Sequence, residues 1–123
     1  MATTDAGGCP HVIPVCYACD GRFIYSALDQ KPKRTPVARL RRVRNIQANP
    51  QVSLVVDRYD PDWRRLWYLL ITGTAELLEV GDAHARAIEL LRDKYPQYRD
   101  MSINASPVIK ITPHRVAAWG DWG

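Results

Sequence analysis

A dense group of basic residues is the part of this sequence most able to do chemistry. Seven lysine and arginine residues, and no acidic ones, fall between Lys31 and Arg44. The chain has 17 basic residues against 13 acidic ones, and removing these seven leaves 10 against 13. The net charge of +4 therefore comes from one short segment, which predicts that the segment meets an anion.

The order of residues in this segment predicts a phosphate site at the start of a helix. Thr35 is a favoured N-cap residue, and Pro36 suits the first helical position. Asn49-Pro50 ends the helix, whose apolar stripe consists of Val37, Leu40, Val43 and Ile46. The loop Lys31–Thr35 then brings cations to free backbone N–H groups at the positive end of the helix dipole. A solvated basic helix face and a non-specific nucleic-acid patch remain alternatives.

The three histidines do not form a recognisable catalytic group. We expect His11 on a strand, His84 at an exposed helix start and His114 in a turn. None of them has a nearby pattern of serine and aspartate, so no nucleophile, acid or base is predicted and the catalytic residues stay unknown.

The three cysteines, Cys9, Cys16 and Cys19, form no framework of pairs. Cys16 and Cys19 have C-x-x-C spacing, but on a predicted strand residues three apart face opposite sides. We therefore expect small buried apolar side chains and no metal site.

The bulk composition indicates one ordinary globular domain over residues 1–123. The chain is 46% hydrophobic and 24% charged, and no apolar run approaches the ~20 residues that a membrane span needs. The first residues lack the basic and apolar regions of a signal peptide. We expect a cytoplasmic protein with no membrane partner.

Most of the chain reads as antiparallel β-structure. Asp20-Gly21 predicts a hairpin between Cys9–Cys19 and Arg22–Leu28, and Pro14 predicts an edge or bulge in the first of these strands. Further strands are predicted at Gln51–Asp57, at Leu66–Val80 with a bulge or bend near Gly73, at Pro107–Thr112 and, after a turn at Pro113-His114, at Arg115–Trp119.

A second helix is predicted to begin at a capping Asp82 and to end at Tyr95-Pro96. Its apolar stripe consists of Ala85, Ile88, Leu91 and Tyr95. Short helices and sequential strands together favour an antiparallel barrel or sandwich. Several aromatic residues exceed what a small core can hide and are candidates to cover a partner subunit or a flat ligand: Trp63, Trp67, Tyr68, Trp119 and Trp122.

Several blocks of the sequence resemble the pyridoxamine-phosphate-oxidase-like split-barrel family. They are Gly8–Val15 (G-C-P-H-V-I-P-V), Arg42–Ile46 with Asn49–Leu54, and Ile71–Glu76 (I-T-G-T-A-E). The segments Lys31–Thr35, Val56–Trp67 and Lys94–Tyr98 are similar to the branch that uses the deazaflavin coenzyme F420. Relatives usually have an N-terminal helix and a fuller first strand, and by this resemblance we expect both to be missing here.

The resemblance implies a mostly β, six-stranded split barrel (the FMN-binding, Greek-key type) with two short helices. It also implies a homodimer that binds a flavin or deazaflavin between its subunits. By the same resemblance, the cofactor phosphate would be held by Ser26, Lys31, Lys33, Arg34, Thr35 and Arg42. Trp67 and Trp119 are candidates for walls near the ring system, with core or interface packing as the alternative.

The function implied is F420-dependent hydride transfer to a small conjugated organic acceptor. FMN as the cofactor is the first alternative, and a non-catalytic cofactor carrier or nucleic-acid module is the second. Nucleic acid is the less favoured partner, because the basic residues are confined to one segment and the remainder is acidic. The physiological substrate cannot be read from the sequence.

Overall fold

An antiparallel sheet with two helices makes up the part of the chain that the structure describes. The structure is a computed structural model, and it describes residues 1–28 and 39–120. The strands are β1 (Ala2–Thr4), β2 (Pro10–Val12), β3 (Ala18–Cys19), β4 (Ile24–Ala27), β5 (Gln51–Arg58), β6 (Trp67–Leu78) and β7 (Val108–Gly120). The helices are α1 (Arg41–Ala48) and α2 (Asp82–Lys94), with a 3-10 turn at Pro96–Arg99. The order in the sheet is β2-β1-β5-β6-β7-β4-β3.

The sheet must curl because its two outermost strands are close in sequence. Strands β2 and β3 form opposite edges, yet only residues 13–17 connect them. Five extended residues reach at most about 17 Å, so the two edges come near each other. The predicted mostly β fold with two short helices is confirmed. The structure has seven strands against the predicted six, and the additional one is β1, which the sequence does not predict. The expected first strand is interrupted around Pro14, where the sequence predicted an edge or a bulge, and the last two predicted strands form the single strand β7.

Strands β5, β6 and β7 form the long central part of the sheet. The register between β6 and β7 shifts at Thr72/Gly73, which confirms the predicted bulge near Gly73. The predicted turn at Pro113-His114 is wrong. Strand β7 runs unbroken through these residues, because the bulge against β6 accommodates them within the ladder.

Two apolar cores lie on the two faces of this sheet. Inside the curl, α1 contributes Val43 and Ile46 to a cluster with Leu54, Ile71 and Ile111. On the other face of β4, α2 packs Ala87, Ile88 and Leu91 against a second cluster that contains Tyr25, Tyr98 and Val108. The two helices therefore cover different faces of the sheet, and the sheet fixes their relative positions.

Helix α1 begins later than the sequence predicted. Helix α1 starts at Arg41, and Leu40 before it has extended backbone (φ −61°, ψ 135°), so a continuous helix from Pro36 is wrong. Apolar residues three apart fit a 3-10 turn as well as an α-helix, so their spacing could not fix the start. Thr35 and Pro36 themselves lie outside the described residues.

The predicted Asp82 cap is also wrong. Gly81 is the N-cap residue of α2, with φ of 103°, and Asp82 is the first helical residue. Glycine takes this position because its backbone adopts positive φ without strain. Tyr95 ends the helix, as predicted. Among the described helices, none is long and apolar enough to cross a membrane.

Candidate functional site

Helix α1 carries an unusual concentration of positive charge at its start. Arg41, Arg42 and Arg44 fall in its first four residues, and the first turn contains no acidic residue. Cations near the positive end of a helix dipole cost about 0.3–1 kcal/mol each when exposed. An anion beside this helix start would remove that cost, so the arrangement suits a negatively charged group.

The basic helix is held firmly against the sheet. Asn45 is buried, and its Nδ2 donates to Thr3 Oγ1 at 2.9 Å. Asn49 Nδ2 donates to Thr4 Oγ1 at 3.3 Å. With Val43 and Ile46 in the inner core, these contacts fix the face from which the arginines project.

The structure describes two of the six residues that are predicted to bind the cofactor phosphate, Ser26 and Arg42. Lys31, Lys33, Arg34 and Thr35 lie outside the described residues. Ser26 is 4% exposed in β4 and pairs with Ile109 of β7. Arg42 is half-buried on α1.

The two candidate tryptophans lie together at one end of the sheet but on opposite faces. Trp67 pairs with Gly120, and its neighbour Tyr68 pairs with Trp119. Successive residues of a strand face opposite sides, so Trp67 and Trp119 cannot both wall one ring within a single subunit. The Trp119 ring instead stacks on Tyr68, with centroids 5.7 Å apart and planes at 13°.

Ser26 and Trp119 are far apart within one subunit. Ser26 pairs with Ile109, and Trp119 lies ten residues further along the same strand β7. That separation corresponds to about 33 Å of extended strand, less the curvature of the sheet. The described phosphate candidate on β4 and the tryptophans therefore occupy opposite ends of the molecule.

The outer face of β5, β6 and β7 is apolar at its centre and exposed. Val55, Leu70 and Ala117 form a row across the three strands, and Val55 is 57% and Leu70 47% exposed. We call the nine residues of three such rows the outer sheet face: Ser53, Thr72 and Arg115; Val55, Leu70 and Ala117; Asp57, Tyr68 and Trp119. A groove of about 350 Å³ runs between this face and Val12.

Sequence reasoning missed Val55 and Leu70 as surface residues. The available signal was the run Leu54–Val56, in which apolar residues occupy both faces of one strand. A strand with only one covered face shows alternation, so a continuous apolar run indicates that something covers its second face as well.

One long edge of β7 also lacks a strand partner. Strand β4 pairs with β7 only as far as Ile111, and among the described residues no other strand continues that edge to Gly120. Residues 114–120 are all exposed. Unpaired strand edges present free N–H and C=O groups and usually bind a partner or are protected by other devices.

Two sequence expectations about single side chains are corrected here. His84 is 5% exposed, not at an exposed helix start, because it lies on the buried face of α2 with Ala87, Ile88 and Leu91. Its Nε2 lies 2.7 Å from the carbonyl oxygen of Ser106. His114 is exposed on β7, with Nε2 3.0 Å from Thr74 Oγ1.

The cysteines are less buried than expected. Cys9 and Cys19 are exposed and Cys16 is half-buried, because the broken first strand lies at the edges of the sheet. Within residues 1–28 and 39–120, no cluster of three or more His, Cys, Asp or Glu side chains is arranged to bind a metal ion.

Comparisons with known proteins identify the family. The sequence profile described as pyridoxamine 5'-phosphate oxidase matches residues 1–120. A 5a,11a-dehydrotetracycline/5a,11a-dehydrooxytetracycline reductase of Streptomyces rimosus is 30% identical over 129 residues, covering 100% of this chain and 74% of the relative.

Solved structures share the fold at lower identity. The haem storage protein HutZ of Vibrio cholerae superimposes with a TM-score of 0.74 and 17% identity, covering 97% of this chain and 82% of its own. A protein described as an F420 reductase superimposes with a TM-score of 0.64 and 22% identity. The match covers 94% of this chain and 85% of that protein. The chain belongs to the pyridoxamine 5'-phosphate oxidase family and has its mostly β split-barrel fold.

Proposed function

We propose that this protein is an oxidoreductase that binds the deazaflavin coenzyme F420 and transfers a hydride between it and a small conjugated organic acceptor. The observation that carries the proposal is the basic segment from Lys31 to Arg44, which includes the start of α1 and has seven cations and no acid. The name of the Streptomyces rimosus relative, a reductase, supports an oxidoreductase. The name of the F420 reductase structure supports the deazaflavin as the cofactor.

The described residues fit an anionic group beside α1. Arg42 lies on this helix, whose first turn contains no acidic residue. In the proposal, Lys31, Lys33, Arg34 and Thr35 complete the phosphate site with Ser26. These residues bind and orient the cofactor, while the bound deazaflavin ring itself supplies the hydride chemistry.

A homodimer would reconcile the two distant groups of candidate residues. Trp119 lies about 33 Å of strand from the β7 partner of Ser26, so it cannot reach the same phosphate site in its own subunit. In the proposed dimer, the tryptophan end of one subunit lies near the basic helix of the other. The ring would then sit against apolar and aromatic walls that exclude water.

The outer sheet face is suited to contact a second copy of itself. Its central row is apolar, while Asp57 and Arg115 lie at diagonally opposite corners. A two-fold axis through Leu70, with the strands of the two subunits crossing at a large angle, brings Asp57 of one subunit to the partner's Arg115. Such self-complementary charge favours a symmetric pair over an unrelated partner.

The choice of cofactor can be tested by titration. We expect F420 to quench the intrinsic tryptophan fluorescence of the purified protein and FMN to have little effect. Saturable quenching by FMN alone, or a yellow protein with flavin fluorescence as purified, would favour the FMN alternative within the same fold.

The reaction can be tested with reduced F420. Oxidation of the coenzyme, followed by its absorbance in the presence of enones or quinones, is the expected result. Tight binding without reduction of any acceptor would favour a cofactor carrier instead. Binding of duplex DNA that weakens steeply with increasing salt would favour the nucleic-acid alternative. A shift of the Soret band of added haem would indicate a function like that named for the Vibrio cholerae structure.

A further inference from the structure

Residues 13–17, which we call the strap, join the two edge strands β2 and β3 and so close the curl of the sheet. The first end of the strap is held through its backbone. The Ile13 N donates to the carbonyl oxygen of Met1 at 3.0 Å, and the Ile13 carbonyl oxygen accepts from the Met1 N at 2.8 Å. Pro14 follows and has no N–H to donate, so the position of the strap depends on the bonds at its two ends.

The second end of the strap is held by two neighbouring residues at the end of α2. The Tyr17 N donates to Tyr95 Oη at 3.0 Å, and Lys94 Nζ donates to the Tyr17 carbonyl oxygen at 2.8 Å. Lys94 Nζ also lies 3.4 Å from the centroid of the Tyr17 ring and 5.2 Å from that of the Tyr95 ring, where a cation is attracted to the aromatic faces. We call these contacts of Lys94 and Tyr95 with Tyr17 the clasp.

The residues after the clasp anchor it in the second apolar core. The rings of Tyr95 and Tyr98 meet edge to face, with centroids 5.6 Å apart and planes at 70°. Tyr98 is 2% exposed, and its carbonyl oxygen accepts from Arg92 Nε at 3.2 Å. Pro96 begins the 3-10 turn that contains Tyr98. The segment Lys94–Tyr98 thus acts as a unit that ties the strap to α2 and to the core behind it.

The strap forms one wall of an apolar pocket with a volume of about 440 Å³. Among the described residues, no charged side chain lines this pocket. Its lining consists of Met1, Val12, Ile13, Pro14, Val15, Tyr17, Leu54, Val55 and Val56. Four of these residues also line the groove between Val12 and the outer sheet face. The pocket therefore opens beside the surface on which the proposed dimer forms.

We propose that Lys94 and Tyr95 are positioning residues, whose clasp fixes the strap and thereby the shape of the pocket that receives the apolar part of the acceptor. This inference rests on the proposed function, because the pocket opens beside the face where that function places the second subunit. An uncharged conjugated ring is stabilised in this lining by the apolar surface that it removes from water. When the clasp is broken, the strap moves away from β5 and the acceptor loses one wall of its site.

Cysteine labelling tests the clasp without cofactor or acceptor, because Cys16 lies in the strap and is half-buried. N-ethylmaleimide is the probe, and peptide mass spectrometry separates Cys16 from the exposed Cys9, which is the internal reference. We expect Lys94→Met and Tyr95→Phe each to raise the labelling rate of Cys16 by at least about fivefold, since a hydrogen bond that keeps the strap closed is lost. Lys94→Arg, which keeps the charge and the donors, should restore slow labelling.

Lys110→Met is the matched control. It makes the same substitution at a lysine that also lies above an aromatic ring, with Nζ 4.0 Å from the centroid of Phe23. The described ion pair of Lys110 joins it to Glu76 of β6, not to the strap. This variant should leave Cys16 labelling within about twofold of the wild-type rate, the scale set by an exposed ion pair.

Steady-state kinetics with reduced F420 and menadione as the acceptor test the role of the pocket. We expect Lys94→Met and Tyr95→Phe to raise KM for menadione by at least about fivefold, while kcat and F420 affinity change by less than about twofold, because binding of the acceptor is weakened and hydride transfer is not. A merely structural loss would instead reduce the active fraction and lower kcat. Lys94→Arg should recover the wild-type KM.

Unchanged Cys16 labelling in both clasp variants would overturn the proposal, and so would faster labelling with an unchanged KM. A wild-type protein that binds no F420 would refute the proposed function instead. The labelling rates would then still decide whether Lys94 and Tyr95 hold the strap, so the two failures are distinguishable. Circular dichroism verifies that each variant is folded.

Discussion

Lys33 is predicted from the sequence to bind the cofactor phosphate, and it lies outside the described residues. We expect Lys33→Ala to weaken F420 binding by about 1–3 kcal/mol, the range for a hydrogen bond to a charged group. Fluorescence titration measures the effect, with Arg86→Gln as the control for a lost positive charge. An affinity unchanged in Lys33→Ala would move the cofactor phosphate away from this loop.

Gly73 shows how a single missing side chain permits the β6–β7 bulge. A Cβ atom built at Gly73 would collide with the backbone carbonyl oxygen of Thr112, which cannot move without breaking the ladder. We expect Gly73→Ala to lower the free energy of unfolding by about 1–3 kcal/mol. Urea denaturation measures this change.

Gly7→Ala is the matched control, because the added atom would meet its nearest neighbour, Asp5 Oδ1, at an ordinary 3.4 Å. It should change stability much less than Gly73→Ala. Equal losses in both variants would mean that the bulge tolerates a side chain and that glycine is not required there.

At the scale of elements, the β3–β4 hairpin is organised by one carboxylate. The pKa of Asp20 is lowered mainly by a hydrogen bond from the backbone N–H of Phe23, at 2.8 Å. Hydrogen bonds from the backbone N–H of Arg22, at 2.9 Å, and from the Tyr25 hydroxyl, at 3.0 Å, lower it further. Burial of Tyr25, and then its bond to Asp20, raises the pKa of that phenol. The charged form of Asp20 is thus favoured by folding.

This hairpin should make stability depend on pH in the acid range. Because the pKa of Asp20 is lower in the folded state, its contribution is complete above the unfolded pKa near 3.8 and is lost as pH falls through the folded value. We expect the unfolding free energy of the wild type to drop more than that of Asp20→Asn between about pH 5 and about pH 3. Asp100→Asn, at an exposed site, is the control, and identical pH profiles for wild type and Asp20→Asn would contradict the assignment.

At the scale of the whole molecule, we propose that the outer sheet face contacts a second subunit. We expect Leu70→Glu to raise the dimer dissociation constant by at least about 30-fold, the effect of losing a central interface anchor. Light scattering after size-exclusion chromatography measures the mass. Val80→Glu, at an 86% exposed position after β6, is the matched control and should stay dimeric.

Loss of the dimer should also weaken F420 binding if the tryptophan end of one subunit completes the other's site. A wild-type protein that is monomeric would overturn the proposed homodimer. A Leu70→Glu variant that is still dimeric would place the interface elsewhere. A monomeric variant with unchanged F420 affinity would show that one subunit is sufficient for binding.

The sequence by itself determined the net charge of this protein, its β3–β4 hairpin, the bulge near Gly73 and the end of α2. Asp20-Gly21, Gly73 and Tyr95-Pro96 act through backbone geometry within a few residues, so their effects could be predicted from the chain alone. The family blocks likewise predicted the split barrel without knowledge of any contact, while the anionic ligand of the basic segment stays a prediction.

Only the tertiary structure decided which residues share a site. The burial of His84 and the start of α1 at Arg41 depend on packing against the sheet, which local spacing does not specify. The separation of Ser26 from Trp119 follows from strand register, and register is set by pairing between distant segments. The clasp of Lys94 and Tyr95 on Tyr17 exists because the end of α2 packs against a segment 77 to 78 residues earlier in the chain, a juxtaposition that no local pattern encodes.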